Sequence, residues 1–327
     1  RRPSQPVQRP PVDGQDGGIR HTADSGLSRR ATEGSSFYPM CKTVITIIKG
    51  GLGNQLFIYA AARAMTLRTG RRLFLDVRRG YTHDSYGRSY RLHRFPIMAD
   101  TMPEAWRVAP NLKHLRHKAL RAWNKLLPRA WRSYLAERRD LLPEQLTAWQ
   151  PRRERVTLHG YWPDEAFFAD QAAVLRTELA VPPPGDARNL DLGARFASEA
   201  TVFVHARRVR YPTLLPASYY RAALDGIRER VANPSFAVFS DDPAWARDNL
   251  DFGSHPVEWV EHNADDELAD LWLMSCCRHA IIANSSFSWW GAWLGGDLSN
   301  GRIIYTPDHP QWFLRPAKGW HRIPIRM

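Results

Sequence analysis

A run of six residues, Thr43-Val44-Ile45-Thr46-Ile47-Ile48, constrains the fold of this chain more than any other feature. Every member is β-branched and four are apolar. That is the pattern of a strand buried on both faces, and such strands belong to parallel sheets covered by helices. Gly50, Gly51 and Gly53 follow as a tight turn. Leu56, Phe57, Tyr59, Ala60, Arg63, Ala64 and Leu67 then recur at helical spacing, and Gly70 is placed to stop that helix. Arg72-Leu73-Phe74-Leu75-Asp76 reads as a second strand. Strand, glycine loop, helix and strand together open a doubly wound α/β domain.

The alternation returns later in the chain. A strand ending in a turn is expected over 156–162, then a helix over 164–179. Pro182-Pro183-Pro184-Gly185 is the clearest linker in the ordered part. Beyond it come strands over 201–205, 235–240, 279–283 and 303–305, separated by helices over 218–231, 265–277 and 287–294. Two such halves imply two Rossmann-like domains facing across a cleft, one over 42–182 and one over 190–327. Residues 1–38, rich in Pro, Gly, Ser, Asp and Arg without apolar periodicity, read as a disordered tail.

The stretch 103–140 breaks the pattern. Trp106, Leu112, Leu115, Leu120, Trp123 and Trp131 alternate with Arg and Lys, as in a basic amphipathic helical insert interrupted near Pro128. It fits an anionic membrane surface or a solvated basic helix pair. The formal net charge of +13 points to an anionic partner: nucleic acid, a membrane surface or a phosphate-bearing substrate. No recognised nucleic-acid motif is present, so nucleic acid is not expected. Cys41, Cys276 and Cys277 offer neither a disulfide framework nor a CxxC zinc spacing, and they fit a reducing compartment. No apolar run reaches the length of a membrane span. The expectation is a cytoplasmic protein with peripheral contact at the membrane face. The 13 tryptophans fit either a large aromatic core or sugar-handling faces.

Three clusters in the second half fall at carboxyl ends of expected strands, where open α/β sheets bind ligands. They are His205-Ala206-Arg207-Arg208, Ser240-Asp241-Asp242 and Asn284-Ser285-Ser286-Phe287-Ser288. A guanidinium clamps a diphosphate through bidentate hydrogen bonds. Hydroxyls and backbone N–H groups at a helix N-terminus hold phosphate oxygens. A carboxylate accepts from the N1–H and amine of guanine. The set matches what a nucleoside diphosphate needs. Gly51-Leu52-Gly53-Asn54-Gln55-Leu56 lacks the third glycine of a dinucleotide fingerprint, and no Gly-Lys-Ser/Thr occurs for a P-loop.

At this point the sequence resembles a known family. Gly50-Gly51-Leu52-Gly53-Asn54-Gln55-Leu56-Phe57 is similar to the N-terminal signature of the α-1,2-fucosyltransferases, glycosyltransferase family 11. Asn284-Ser285-Ser286-Phe287-Ser288-Trp289-Trp290-Gly291-Ala292-Trp293-Leu294 is similar to their C-terminal signature. Gly160-Tyr161-Trp162, Phe239-Ser240-Asp241-Asp242, Asp270-Leu271-Trp272-Leu273-Met274-Ser275 and the stretch 86–95 match in order between them. The resemblance implies a GT-B-like fold, a GDP-β-L-fucose donor, transfer with inversion to a galactoside hydroxyl of a glycan acceptor that can be lipid-linked, and no cofactor or required metal. The first domain would then be the acceptor side and the second the GDP-sugar side.

Carried over by position, the resemblance gives Arg207 the leaving diphosphate, His205 and Asp242 the guanosine, and Ser285 and Ser286 the phosphate oxygens. Arg208, Asp241, Asn284 and Phe287 complete the donor site, and Gly51, Gly53 and Asn54 line the cleft from the other domain. The family reads His-x-Arg-Arg-Gly-Asp-Tyr where this chain has Val209 and Arg210 before Tyr211. That departure leaves open a transferase for another GDP-hexose or a non-catalytic GDP-sugar-binding relative. No DxD signature is present, so Arg207 and a helix dipole would carry the diphosphate charge. Asp76, at the end of a strand, is the first candidate for the base that takes the acceptor proton, and His159 is the second; a turn carboxylate and a strand-end histidine are their plain structural alternatives.

Overall fold

The computed structural model describes residues 42–106, 122–124, 126–137, 141–209, 214–299 and 301–325. The expected tail, half of the basic insert and Arg210 lie outside these residues. In chain order the elements are β1 (Thr43–Ile47), α1 (Leu52–Thr69), β2 (Arg72–Asp76), β3 (Asp100–Thr101), β4 (Tyr134–Ala136), α2 (Pro143–Thr147), β5 (Arg155–His159), α3 (Ala172–Glu178) and α4 (Ala187–Ser198). There follow β6 (Thr201–Ala206), α5 (Ala217–Arg230), β7 (Ser235–Ser240), α6 (Pro243–Asn249), β8 (Val257–Trp259), α7 (Glu267–Cys276), β9 (His279–Ile281), α8 (Ser286–Leu294), β10 (Ile304–Asp308) and β11 (His321–Pro324).

The strands form two sheets, β3-β2-β1-β5-β4 and β11-β10-β9-β6-β7-β8. The strand pairs are parallel in both. The apolar runs that open each half become the central strands β1 and β6, and all their residues are buried. The order of the second sheet is that of a Rossmann fold. Winding reverses between β1 and β5 in the first sheet and between β6 and β9 in the second. The crevices outside the carboxyl ends at those two points are the places such sheets offer to ligands.

Helix α1 has no solvent face: thirteen of its eighteen residues are buried. One side lies on β1 and β2, and the other meets α8. Phe57 reaches Trp289 and Trp290 at ring-centroid distances of 4.6 and 5.0 Å, and Phe168 stacks on Trp290. Trp289, Trp290 and Trp293 are buried, so these tryptophans build core rather than a sugar platform. One apolar cluster runs from β1 and α1 through α7 and α8. The approach of α1 to α8 depends on Gly53. A Cβ there would lie 2.5 to 2.7 Å from backbone atoms of Ser286 and Phe287. Gly70 closes α1 in the left-handed conformation at φ 61, its N–H donating to the Thr66 carbonyl, as its position in the sequence implies.

Two expectations are corrected. The helix expected over 164–179 is broken into short 3-10 turns at Glu165–Phe167 and Ala169–Gln171 before α3. Asp164 caps the first turn by accepting the Ala166 N–H, and the adjacent Phe167 and Phe168 both enter the core. The insert expected over 103–140 is helical at residues 122–124 and 126, up to the break near Pro128, but beyond it a 3-10 turn at Arg129–Trp131 and β4, paired with β5, stand where helix was expected. Among the described residues no helix is long and apolar enough to cross a membrane.

Candidate active site

Strand β6 delivers His205 and the loop 207–209 to the crevice of the second sheet. Asp241, just past the end of β7, holds that loop. Its Oδ1 accepts the Arg208 N–H at 2.6 Å, its Oδ2 accepts the Val209 N–H at 3.1 Å, and the Arg207 Nε lies 3.2 Å away. The backbone N–H is all that Asp241 asks of position 209, so valine serves there, with its side chain turned to solvent. The two arginines then part, as successive residues of an extended segment do. Arg207 lines a cavity of about 460 Å³ with His205, Asp241, Asn263, Glu267, Asp270 and Phe287. Arg208 instead donates to the Leu215 carbonyl at 2.7 Å and lies over the Trp245 ring at 3.7 Å. The geometry gives it a structural place rather than the ligand contact expected of it. Asp242 is likewise engaged: its carboxylate caps α6 by accepting the Trp245 N–H at 3.1 Å.

His205 is 6 % exposed, and its Nδ1 has no hydrogen-bond partner among the described residues. Burial, and then the charge of Arg207, push its pKa down to about 3. The imidazole is therefore neutral at physiological pH and presents an unsatisfied nitrogen beside the cavity. Buried polar atoms are seldom left so, and a ligand group is a natural partner. Phe287, in the first turn of α8, packs against this ring at 6.2 Å. Ser285 caps α8, accepting the Phe287 N–H at 3.3 Å. Asn284 and Ser286 are half-buried on either side of it. Arg207, His205 and Phe287 of the first turn of α8 thus line one cavity, and Asn284, Ser285 and Ser286 are not among the residues that line it.

Two carboxylates on α7 escaped the sequence reading. Asp270 lines the cavity and accepts from Asn263 Nδ2 at 3.0 Å, and burial raises its pKa to about 7. Glu267 lies one turn earlier, and burial raises its pKa also. Their i, i+3 spacing, which places both on one helix face, was the available signal. Glu267 also lines an adjoining cavity of about 340 Å³, bounded from the first half by Gly51, Gln55, Arg88, Ser89 and Arg91. Gln55 ties this wall together: its Nε2 donates to the Gly50 and Ser89 carbonyls, and its Oε1 accepts the Arg91 N–H at 2.9 Å. Of the glycine loop, Gly51 is on this cavity wall, while Gly53 is buried against α8 and Asn54 lies beside Gly50. A larger cavity of about 840 Å³ flanks the far end of α8 and involves none of these residues.

The two base candidates differ. Asp76 is 4 % exposed; it accepts the N–H groups of Arg78 and Arg79 and pairs with the Arg79 guanidinium at 3.2 Å. That is the turn carboxylate of the plain reading. His159 ends β5 in the crevice of the first sheet. Its Nε2 is 3.3 Å from Lys49 Nζ and its Nδ1 is 2.5 Å from Tyr134 Oη. Glu137, just past β4, accepts the N–H groups of Tyr161 and Trp162 and holds Trp162 at φ 55. Burial lowers the Lys49 pKa and raises that of Glu137. Lys49 and Glu137 were not named from the sequence, because only the parallel pairing of β1, β5 and β4 brings them together.

The model of glycosyl transferase family 11 matches residues 43–315. An α-1,2-colitosyltransferase of Escherichia coli is 31 % identical over 291 residues, covering 83 % of this chain and 93 % of that protein. The galactoside 2-α-L-fucosyltransferase SEC1 of Bos taurus is 26 % identical, covering 81 % and 71 %. Among solved structures, a GDP-bound mutant of FUT1 from Arabidopsis thaliana shares the fold with a TM-score of 0.50 at 14 % identity, over 82 % of this chain and 71 % of that one. The chain belongs to glycosyl transferase family 11 and is a glycosyltransferase.

Proposed function

We propose that the chain transfers a 6-deoxyhexose, L-fucose or its 3-deoxy relative colitose, from a GDP-linked donor to the 2-hydroxyl of a galactoside, with inversion. The observation that carries this is the cavity lined together by Arg207, the neutral His205 and Phe287 of the first turn of α8. The acceptor oxygen attacks the anomeric carbon as the bond to the diphosphate breaks, and GDP leaves with the bonding electrons. Arg207 and the N–H groups of α8 stabilise the charge that develops on it. Asp270 accepts from the N1–H and amine of guanine when ionised, and His205 Nδ1 takes a polar group of the nucleotide. The acceptor proton passes to His159 and its neighbours Lys49 and Tyr134 rather than to Asp76, whose carboxylate is committed to its own turn. With guanidinium and helix dipole in place of a metal ion, turnover in EDTA is expected to equal turnover without it.

Two donors follow from two relatives. The colitosyltransferase of E. coli is more similar in sequence than the fucosyltransferase of B. taurus, so both sugars belong in one test. The enzyme is incubated with GDP-L-fucose or GDP-L-colitose and a panel of galactosides, and GDP release and product mass are followed. One donor should add a deoxyhexose or dideoxyhexose residue to a terminal galactoside. GDP binding without transfer to any acceptor would leave a nucleotide-sugar-binding relative, and absence of GDP binding would end the reading altogether.

A further inference from the structure

The second half of the molecule is short of positive charge for the ligand it is read to hold. A nucleotide sugar brings two phosphate charges, and the leaving nucleotide a third. Among the described residues lining the 460 Å³ cavity, Arg207 is the one permanent cation, and it already lies 3.2 Å from Asp241. Asp241, Glu267 and Asp270 line the same space. Arg208 is turned onto Trp245. A diphosphate in this cavity needs a second cationic contact.

The first half supplies one at the right place. Arg88 and Arg91 line the adjoining 340 Å³ cavity, and Ala264 and Glu267 line both cavities, so the two spaces share a wall. The Arg88 Cδ is 3.9 Å from where a Cβ of Gly51 would stand, and Gly53, two residues on, touches the backbone of Ser286. Arg88 therefore belongs to the wall that Gly51 and Gly53 bring up to the start of α8, and it comes from the first half of the chain as Arg207 comes from the second.

Both arginines are loosely engaged. Arg91 Nε is 3.5 Å from Glu267, with both side chains more than two-fifths exposed. Arg88 lies over the Tyr86 ring at 4.3 Å, and its Nε, 3.2 Å from Asp84, lacks the geometry of a hydrogen bond. Partly exposed pairs of this kind contribute little, whereas a guanidinium on a phosphate makes short, charge-assisted, bidentate bonds. Their backbone is fixed all the same: the Arg91 N–H is held by Gln55, and the Arg88 N–H by Asp84 at 2.7 Å. We infer that Arg88 and Arg91 form the second half of the diphosphate clamp, and that Glu267 holds Arg91 in the empty enzyme until the donor phosphate displaces it. The inference rests on the GDP-sugar reading of the site.

The test measures binding of GDP and of guanosine to the full chain by calorimetry, for the wild type, R88Q, R91Q and R91K. Each glutamine variant is expected to weaken GDP roughly tenfold, the loss of one charge-assisted phosphate contact, and to leave guanosine unchanged. R91K should recover part of the loss. GDP affinity within twofold of wild type in both glutamine variants would overturn the inference and leave the GDP reading standing. A parallel fall in guanosine binding would overturn it too, since a displaced loop rather than a lost charge would be responsible. A wild type that binds neither compound removes the GDP reading and the inference together. Thermal melts check that each variant is folded, and should R88Q fail to fold, R91Q alone decides.

Discussion

The crevices of the two sheets arise from the same topology and are furnished in opposite ways. At β6 and β9 contacts are left open: the His205 Nδ1 is unmet, the Arg207 side chain is 41 % exposed, and both line one cavity. At β1 and β5 the polar groups meet one another, as Lys49, His159 and Tyr134 form a hydrogen-bonded chain and Glu137 closes the next turn. Sheet order locates both crevices. What each receives follows from how its groups are satisfied before a ligand arrives. An unmet imidazole nitrogen and a partly exposed guanidinium leave contacts open to a ligand, and a connected chain of exchangeable protons is equipped to take up one more.

The largest test of that contrast is Arg207→Ala. It should lower kcat by about 10²-fold or more with little change in melting temperature, because stabilisation of the departing diphosphate is lost while the loop stays on Asp241. Steady-state kinetics with the donor that turns over would measure it. On the other side of the cleft, His159→Gln should lower kcat roughly 10²-fold and flatten the acidic limb of the pH–rate profile. An unchanged profile would move the proton acceptor elsewhere. Gly53→Ala leaves both crevices chemically intact but forces a methyl against Ser286, and it should destabilise the fold by about 1–3 kcal/mol, read by denaturant titration.

Asp270→Asn probes the nucleotide side through pH. Burial raises the Asp270 pKa to about 7 from an ordinary 3.8. The folded state therefore holds this proton more tightly than the unfolded chain, and the carboxyl's contribution to stability falls as pH rises from about 4 to about 7. Guanine needs the ionised form, so GDP affinity should rise between pH 6 and 8. In the asparagine variant that slope should vanish and affinity at pH 8 should drop about tenfold. The smallest effect belongs to Glu267→Gln. Releasing Arg91 should tighten GDP binding about two- to fivefold, with a weaker response to salt.

Much of this was legible from residue patterns. The β-branched run of β1, the helical spacing of α1 and the strand–turn–helix around Asn284 each carry their signal within a dozen residues. The strands β3, β4, β8 and β11 did not show because none exceeds four residues and none sits in a longer apolar run as the equally short β9 does, and β4 lies in a segment whose Arg and Trp alternation imitates a helix. At the site, alternation along an extended segment could have separated Arg207 from Arg208. The anchoring of that loop by Asp241 could not be read, since the partners are 32 and 33 residues apart. Asp76 and Asp242 were drawn toward chemistry by their position at strand ends. Their oxygens turned out to serve the backbone immediately after them, an ordinary use for aspartate at such a place.

The seam where Gly53 meets Ser286 has a bearing on how members of this family can be recombined. The stretch that begins α1 and the stretch that begins α8 are moulded to each other, with Phe57 seated among Trp289 and Trp290. A chimera that joins the front of one transferase to the back of another inherits two mismatched surfaces at its centre. Specificity is better grafted through the loops at the strand ends, with residues 52–57 and 286–293 always taken from the same parent.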